Sequence, residues 1–351
     1  MTISFHEFKE TPPKCFLITR FSIRKFVFGI LGLDSILPVE SPVEVQSGGY
    51  SMKTIENKTT LITGAASGIG RETALMMAQK GARIVALDRD EEGLGKLTNE
   101  LSDRGEFCFP IVCDLASASD TEMAVRKVVN KMKGVDFLIN NAGIGYHGAT
   151  HEMPRESFEQ VLQINLHAPC DLFQHLVHEL IKSDVGHVVN VASIFGLVPH
   201  PRTAAYCASK YGLVGFTEAI RAEYGRWGLG VSMVCPGFVQ TPMLESLPEQ
   251  SETGQKLRKP SKWLTTTPDK IARKIVKAIR YNKRLVLATP LAHFLYHTKR
   301  LFPGTCDFVQ SFKMSGVKSW FRKKKSTQPV DAAAQPAANR DNALDESQKA
   351  A

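Results

Sequence analysis

No apolar run in the 351-residue chain reaches the eighteen or so residues that a helix needs to cross a bilayer, and no convincing signal-cleavage pattern follows its first apolar stretch. That stretch, Lys14 to Leu33, is broken by Arg20, Arg24 and Lys25. Cysteine is sparse and scattered. Cys15, Cys108, Cys113, Cys170, Cys207, Cys235 and Cys306 form no C-x-x-C pair, which suits buried, reduced thiols and argues against a disulfide framework. The H-x-x-H-E order of His175, His178 and Glu179 lacks the H-E-x-x-H spacing of a zinc helix, so no metal is expected. No internal repeat is evident, which sets aside solenoids and propellers. Acid is scarce at one end: from Lys283 to Lys325 ten Lys or Arg meet the single acid Asp307, a net of +9 that equals the formal charge of the whole chain.

What is present begins with Lys58 to Asp88, KTTLITGAASGIGRETALMMAQKGARIVALD. A β-branched strand, a glycine-rich turn, an amphipathic helix and a second strand make one βαβ unit. Glycines at the helix entrance let a backbone approach a pyrophosphate, and the helix N-terminus offers free N–H groups and a positive dipole end. Asp88, closing the second strand, is placed to accept hydrogen bonds from ribose hydroxyls.

Tyr206 and Lys210, four apart, project from one helix face. Bringing a phenol from a pKa of ~10 to about 7 requires roughly 4 kcal/mol of stabilisation of the phenolate. A unit charge about 4 Å away supplies about that much at an effective dielectric of ~20. Upstream, Gly186 to Gly196 (GHVVNVASIFG) reads as a buried strand leading into Ser193, which sets a hydroxyl at the carboxyl end of a strand, where open α/β sheets bind ligands.

With these motifs in order, the chain resembles the short-chain dehydrogenase/reductase family over roughly residues 55 to 290. The resemblance implies a catalytic set of Asn165, Ser193, Tyr206 and Lys210. Tyr206 is then the general acid/base, and Ser193 hydrogen-bonds the substrate oxygen. Lys210 holds the nicotinamide ribose and lowers the tyrosine pKa, while Asn165 anchors a water that relays protons from Lys210. It implies dinucleotide contacts from Thr63, Gly64, Ser67, Gly68, Ile69 and Gly70, from Asp88 and Arg89, from Asp114 and Leu115, and from Asn141, Ala142 and Gly143 beside the strand-stabilising Asn140. Tyr206, Lys210 and the loop residues Pro236, Gly237, Val239 and Thr241 complete the set. NAD is favoured over NADP because Asp88 repels a 2′-phosphate and Ser67 stands where NADP-preferring members often carry a basic residue; Arg89 pulls the other way.

Strands are expected near 59–63, 82–88, 108–113, 135–140, 186–192, 229–235 and 284–288, with helices between. This is an α/β, Rossmann-type, doubly wound and mostly parallel seven-stranded sheet in one domain. Residues 52–289 are expected to hold the catalytic domain. Residues 1–51 read as a start-site artefact ahead of Met52 or as an amphipathic or targeting segment, and 290–325 as a basic segment. In that segment Leu291, Phe294, Leu295, Leu301 and Phe302 recur at helical spacing opposite His293, His297, Lys299 and Arg300, and Phe308, Val309, Phe312, Trp320 and Phe321 continue the apolar theme. Residues 326–351 read as a disordered tail.

The implied activity is NAD(P)-dependent interconversion of an alcohol and a carbonyl. The loop residues Ile144, Tyr146, Phe195, Leu197, Val198, Phe238, Met243 and Leu244 suggest an apolar wall for a lipophilic substrate, with a substrate lid expected from Glu245 to Trp263. His147 and His200 fall in loops expected over the same site. By resemblance a homodimer or homotetramer is expected. The setting is cytoplasmic, with peripheral attachment to an anionic membrane surface through the basic segment as one reading and a helix packed on the enzyme as the other. Two rivals carry less: an epimerase or dehydratase on this fold adds a long C-terminal substrate domain that is missing here, and a non-catalytic scaffold would have lost part of the four-residue set. Nucleic acid is not an expected partner, since no binding module accompanies the basic residues.

Overall fold

The computed structural model describes residues 52–245 and 265–304. Expectations for 1–51, 246–264 and 305–351, including Cys15, Cys306 and the apolar residues from Phe308 to Phe321, lie outside the described residues.

Seven parallel strands form the sheet: β1 (Thr59–Thr63), β2 (Arg83–Asp88), β3 (Cys108–Val112), β4 (Phe137–Asn140), β5 (His187–Val191), β6 (Gly230–Cys235) and β9 (Leu285–Leu287), in the order β3-β2-β1-β4-β5-β6-β9. They match the expected strands to within one or two residues. The register sets Thr63 beside Leu87 and Asn140 beside Asn190. β1, β4, β5 and β6 are buried along their whole length, as strands covered on both faces are, which is why their sequences are mostly apolar and β-branched, with His187, Asn190, Asn140 and Ser232 as buried polar exceptions.

Helices cover both faces. On one, α1 (Gly68–Ala78), α2 (Glu91–Asp103) and α8 (Pro268–Arg280) pack through Ala74, Met77, Leu94, Leu97, Leu101, Ile271, Ile275 and Ile279 against Ile62, Ile84 and Phe137. Pro268 opens α8, its missing N–H costing nothing at the first helical position, and Asp269 sits at the positive end of the dipole. Each of the three buried isoleucines on that helix contributes about 1.5–3 kcal/mol by leaving water. On the other face lie α3 (Ala118–Met132), α5 (Ala168–Lys182) and α6 (Ala204–Tyr224), which bury Val125, Val128, Leu172, Phe173, Leu176 and Ile220. The sheet is therefore doubly wound. Its strand order reverses between β1 and β4, which opens a crevice at their carboxyl ends.

Three features were not expected. α4 (Arg155–Leu162) runs into α5 through a π-helical stretch, Gln163–His167. A two-stranded ladder pairs β7 (Phe238–Val239), which the short helix α7 (Pro242–Glu245) follows, with β8 (Thr265–Thr266). In α9 (Pro290–Leu301) the expected separation of apolar and basic sides does not hold: Ala292 is buried, with Leu295 and Tyr296 against the core, whereas Phe294 and Leu301 face outward among His293, His297 and Arg300. Packing on β9 takes the small and amphipathic residues and leaves the two largest apolar ones outside.

Candidate active site

The crevice is built first from the turn after β1. Gly64 and Gly68 hold φ 66° and 52°, which a side chain rarely adopts. Gly70 has a different reason: a Cβ there would overlap the Gly64 carbonyl oxygen and stand 2.6 Å from Asn141 Nδ2. Thr63 Oγ1 accepts from the N–H groups of Asn141 and Ala142, both at 3.0 Å, and Asn141 Nδ2 donates to the carbonyls of Thr63 (3.0 Å) and Gly64 (3.2 Å). The end of β4 is thereby locked to the turn. Ser67, at the N-cap of α1, is exposed, and its hydroxyl caps no helix N–H. Thr241 lies over the turn, its Cγ2 3.0 Å from where a Cβ on Gly68 would be. Ile69 packs against the core from the first turn of α1.

Asp88 closes β2, its carboxylate accepting from Ala66 N at 3.0 Å and Asp90 N at 3.1 Å. Two such bonds leave lone pairs to spare on a carboxylate. Arg89 beside it is exposed. Asp114 accepts from Ala116 N at 2.9 Å and Leu115 is buried in the core, so only the aspartate side of that pair faces the crevice rim.

β5 and α6 bring Ser193, Tyr206 and Lys210 together. Ser193 caps a 3-10 turn, Ile194–Gly196, and accepts from Phe195 N at 3.1 Å. Its hydroxyl lies near enough to the Tyr206 phenol to favour the ionised form. Lys210 is buried, donates to the Val191 carbonyl at 2.9 Å and lies 5.8 Å from the centre of the Tyr206 ring. A Cβ on Gly143 would stand 3.0 Å from Asn165 Oδ1 and 3.5 Å from Lys210 Nζ, so the tight approach at this glycine is to the asparagine amide.

Electrostatically the site differs from expectation. Burial pushes the Tyr206 phenol above its ordinary value, with the Ser193 hydroxyl opposing the rise. Burial pulls Lys210 down to about 8. Loss of water is the largest influence on the phenol, and its net direction is upward.

Asn165 sits in the π-helical stretch with both amide N–H groups committed and one bond to its oxygen. Its Oδ1 accepts from Ile144 N at 2.8 Å, and its Nδ2 donates to Ile144 O at 2.9 Å and to Ser209 Oγ at 3.0 Å. The amide pins the segment after β4 to α6, and its side chain makes no bond to Lys210. Ser209, which also donates to the Tyr206 carbonyl at 2.9 Å, was missed from sequence. The signal was there: a small polar residue one helical turn after the tyrosine.

Pro236 O accepts from Ile194 N at 2.9 Å, Gly237 lies where a Cβ would come 2.8 Å from Thr289 Oγ1, and Val239 is buried in the core. Of the residues expected to form an apolar wall, Phe195 stands edge-on to Tyr206 (6.4 Å between centroids) and to Phe238 (5.8 Å). Val198 does not join it, being buried in the core with Leu213 and Met233; the side chain of Leu244 lies outside what is described. Cys207 turns into the helix, its thiol 3.3 Å from Thr203 Oγ1, and is no nucleophile facing the cleft.

A glycine cradle that no side chain can enter, a helix N-terminus and a carboxylate beyond it fit a dinucleotide's pyrophosphate and ribose. The family model for short chain dehydrogenases matches residues 58–252. The chain belongs to that family. It is 38% identical over 197 residues to the 3-oxoacyl-[acyl-carrier-protein] reductase FabG of Thermotoga maritima, covering 56% of this chain and 80% of that one. A solved short chain dehydrogenase/reductase from Burkholderia phymatum in complex with NAD shares the fold with a TM-score of 0.63, at 24% identity over 71% of this chain and 95% of the other. A metagenomic short-chain oxidoreductase in complex with NADP aligns with a TM-score of 0.56, at 28% identity over 67% of this chain and 98% of its own. As a short-chain dehydrogenase the chain is an oxidoreductase, with its crevice at the same end of the sheet as the turn just described.

Proposed function

We propose that this short-chain dehydrogenase interconverts a carbonyl and an alcohol, with Tyr206 as the proton donor and acceptor. The carrying observation is the meeting of the Ser193 hydroxyl, the Tyr206 phenol and the Lys210 ammonium at the carboxyl end of β5. A nicotinamide cofactor, when bound, supplies or takes up the hydride. Thr63 to Gly70, Asp88, Asp114, Asn141 to Gly143, Lys210 and the loop from Pro236 to Thr241 would hold it. A substrate carbonyl oxygen placed between Ser193 and Tyr206 accepts two hydrogen bonds. Tyr206, whose raised pKa keeps it protonated near neutrality, gives that oxygen its proton. The Lys210 charge stabilises the phenolate left behind. A protonated resting phenol favours reduction at neutral pH, with oxidation gaining as pH rises. Asn165 acts by holding the segment after β4 against α6.

NAD is the favoured cofactor, because Asp88 can accept from ribose hydroxyls and no basic residue stands at Ser67. The cluster of Phe195, Phe238 and Tyr206 favours a lipophilic substrate body, and the fold favours a homodimer or homotetramer. The outward Phe294 and Leu301 among basic residues of α9 favour peripheral attachment to an anionic membrane. The test is a screen of alcohols and carbonyls with both cofactors, run on the wild type and on Tyr206→Phe. Turnover should vanish in the variant while cofactor affinity stays within about threefold; undiminished turnover would remove Tyr206 from the mechanism.

A further inference from the structure

Three buried polar side chains lie in a row between the sheet and α6, and the proposed reaction uses none of them. Asn140 closes β4, Asn190 is its register partner on β5, and Thr217 meets them from α6; all three are at most 2% exposed. Asn140 Nδ2 donates to Asn190 Oδ1 at 2.8 Å, Asn190 Nδ2 donates to Thr217 Oγ1 at 2.9 Å, and Thr217 Oγ1 donates to the Leu213 carbonyl at 2.5 Å. The last member forces the direction of this chain. A carbonyl only accepts, so the single hydroxyl proton of Thr217 goes to Leu213 and the threonine oxygen is left to accept. Asn190 must then turn its NH2 towards α6 and its oxygen towards β4, where Asn140 donates.

The chain sits next to the catalytic attachment of the same helix. Asn190 directly precedes Val191, whose carbonyl takes the Lys210 ammonium at 2.9 Å. Thr217 follows Lys210 by seven residues, two helical turns that return to nearly the same side of α6. The helix is thus fastened to adjacent residues of β5 at two levels, by a charged bond from Lys210 and by a neutral one at Thr217. Ser193 lies two residues beyond Val191, and Tyr206 one turn before Lys210. A slide or rotation of α6 against β5 would therefore alter both approaches together, that of Tyr206 to Ser193 and that of Lys210 to Val191. The bond at Thr217 opposes such a movement. The arrangement carries a cost, since Asn140 Oδ1 is buried with no partner among the described residues. An apolar trio would avoid it, because removing both partners of a buried hydrogen bond can be nearly neutral for stability. What a buried hydrogen-bond chain adds over apolar packing is a single fixed arrangement.

We propose that Asn190 and Thr217 are positioning residues for proton transfer, holding α6 at the depth on β5 where Lys210 reaches the Val191 carbonyl and Tyr206 lies beside Ser193. This rests on the oxidoreductase reading and adds to it two residues that act through the helix and not on the substrate.

The experiment uses the full chain with Thr217→Val, which keeps the branched shape and removes the hydroxyl, and Thr217→Ser, which keeps the hydroxyl. The carbonyl that the wild type reduces best is followed well below the melting temperature, over a range of pH. Thr217→Val should lower kcat about tenfold, since misplacing reacting groups by about 1 Å is enough to do so. It should also move the pH profile of kcat by about half a unit, because the profile reports the ionisations of the bound complex. Thr217→Ser should restore both. A chain that merely holds the core would lower the melting temperature of Thr217→Val and leave kcat and its pH profile at wild-type values, and that result overturns the proposal. A Thr217→Ser protein as slow as Thr217→Val overturns it too. If the wild type turns over no carbonyl, the oxidoreductase reading fails by itself, and Lys210 reports on the helix instead. With lysine labelled at the ε-carbon, and the Lys210 resonance assigned by its loss in Lys210→Met, the titration of that resonance should shift in Thr217→Val and return in Thr217→Ser. An unshifted Lys210 titration in Thr217→Val would remove the positioning role.

Discussion

The Lys210 ammonium donates to the Val191 carbonyl at 2.9 Å while standing 5.8 Å from the centre of the Tyr206 ring, buried between β5 and α6. One neutral acceptor does not replace the water it has lost, so its pKa falls to about 8. The unfolded chain then binds more protons than the folded one between about pH 8 and the ordinary lysine value, and stability attributable to this residue rises with pH across that window. Against Lys210→Met, in which the group is gone, wild-type unfolding free energy should gain roughly 3 kcal/mol between pH 7 and the upper end of the window. Denaturant melts at several pH values give this difference directly. A difference that does not change with pH would mean that the lysine is better solvated than its surroundings indicate. The same variant should lose most of its turnover.

Gly70 and Gly95 make a matched pair. A Cβ on Gly70 meets the Gly64 carbonyl and Asn141 Nδ2, which are hydrogen-bonded to each other at 3.2 Å, whereas a Cβ on Gly95, within α2, meets nothing within 4 Å. Gly70→Ala is expected to destabilise by about 1–3 kcal/mol and to weaken dinucleotide binding, because the helix entrance must move. Gly95→Ala is expected to stabilise by about 0.5–1 kcal/mol through helix propensity alone. Thermal melts and cofactor titrations of the two variants should therefore differ in sign for stability. A Gly70→Ala protein that melts like the wild type would show that the turn has slack.

These contrasts mark what the sequence carried and what it could not. β1, β4, β5 and β6 were legible because strands covered on both faces are rich in apolar and β-branched residues, as TTLIT, FLIN, HVVNV and GVSMVC are, with the few polar residues among them buried. The meeting of Ser193, Tyr206 and Lys210 was legible from spacing. The π-helical stretch at Asn165 was not, since QINLH has no composition that separates it from an ordinary helix, and β7 and β8, two residues each, are too short to show a period. The pKa of Tyr206 was misjudged because a pairwise charge argument leaves out burial, which only the packing of α6 against β5 sets.

Asp88 accepts from Ala66 N and Asp90 N and keeps lone pairs for a ribose. Asp88→Ala is expected to narrow the preference for NAD over NADP by about 1 kcal/mol or more, by removing both the hydroxyl acceptor and the repulsion of a 2′-phosphate. Because the carboxylate also holds the turn at Ala66, affinity for both cofactors should fall somewhat, and Asp88→Asn separates the two effects by keeping an acceptor without the charge. A wild type that already prefers NADP would place the selection with Arg89 instead.

The exposed side of α9 leads to the last prediction. Phe294 is 66% exposed and Leu301 69%, and both lie among His293, His297 and Arg300, while Lys299 is held by the Tyr211 hydroxyl at 2.5 Å. The opposite side, through Ala292, Leu295 and Tyr296, packs on the core. Truncation at Pro290 therefore removes core contacts as well as the outward face, so a loss of stability on truncation does not separate membrane attachment from simple packing. Substituting only the outward residues does. Phe294→Ser together with Leu301→Ser should leave the melting temperature nearly unchanged, since neither side chain is buried. Each Lys or Arg near an anionic surface contributes about 1 kcal/mol, screened by salt, and two inserted apolar side chains add about 1.5–3 kcal/mol each at full burial. The full chain should sediment with phosphatidylserine vesicles at low salt and less so at high salt, and with neutral vesicles hardly at all. The double substitution should lower the bound fraction at every salt concentration. Equal partitioning of the two proteins into the anionic pellet would leave α9 as a packing helix whose outward phenylalanine and leucine do not touch a membrane.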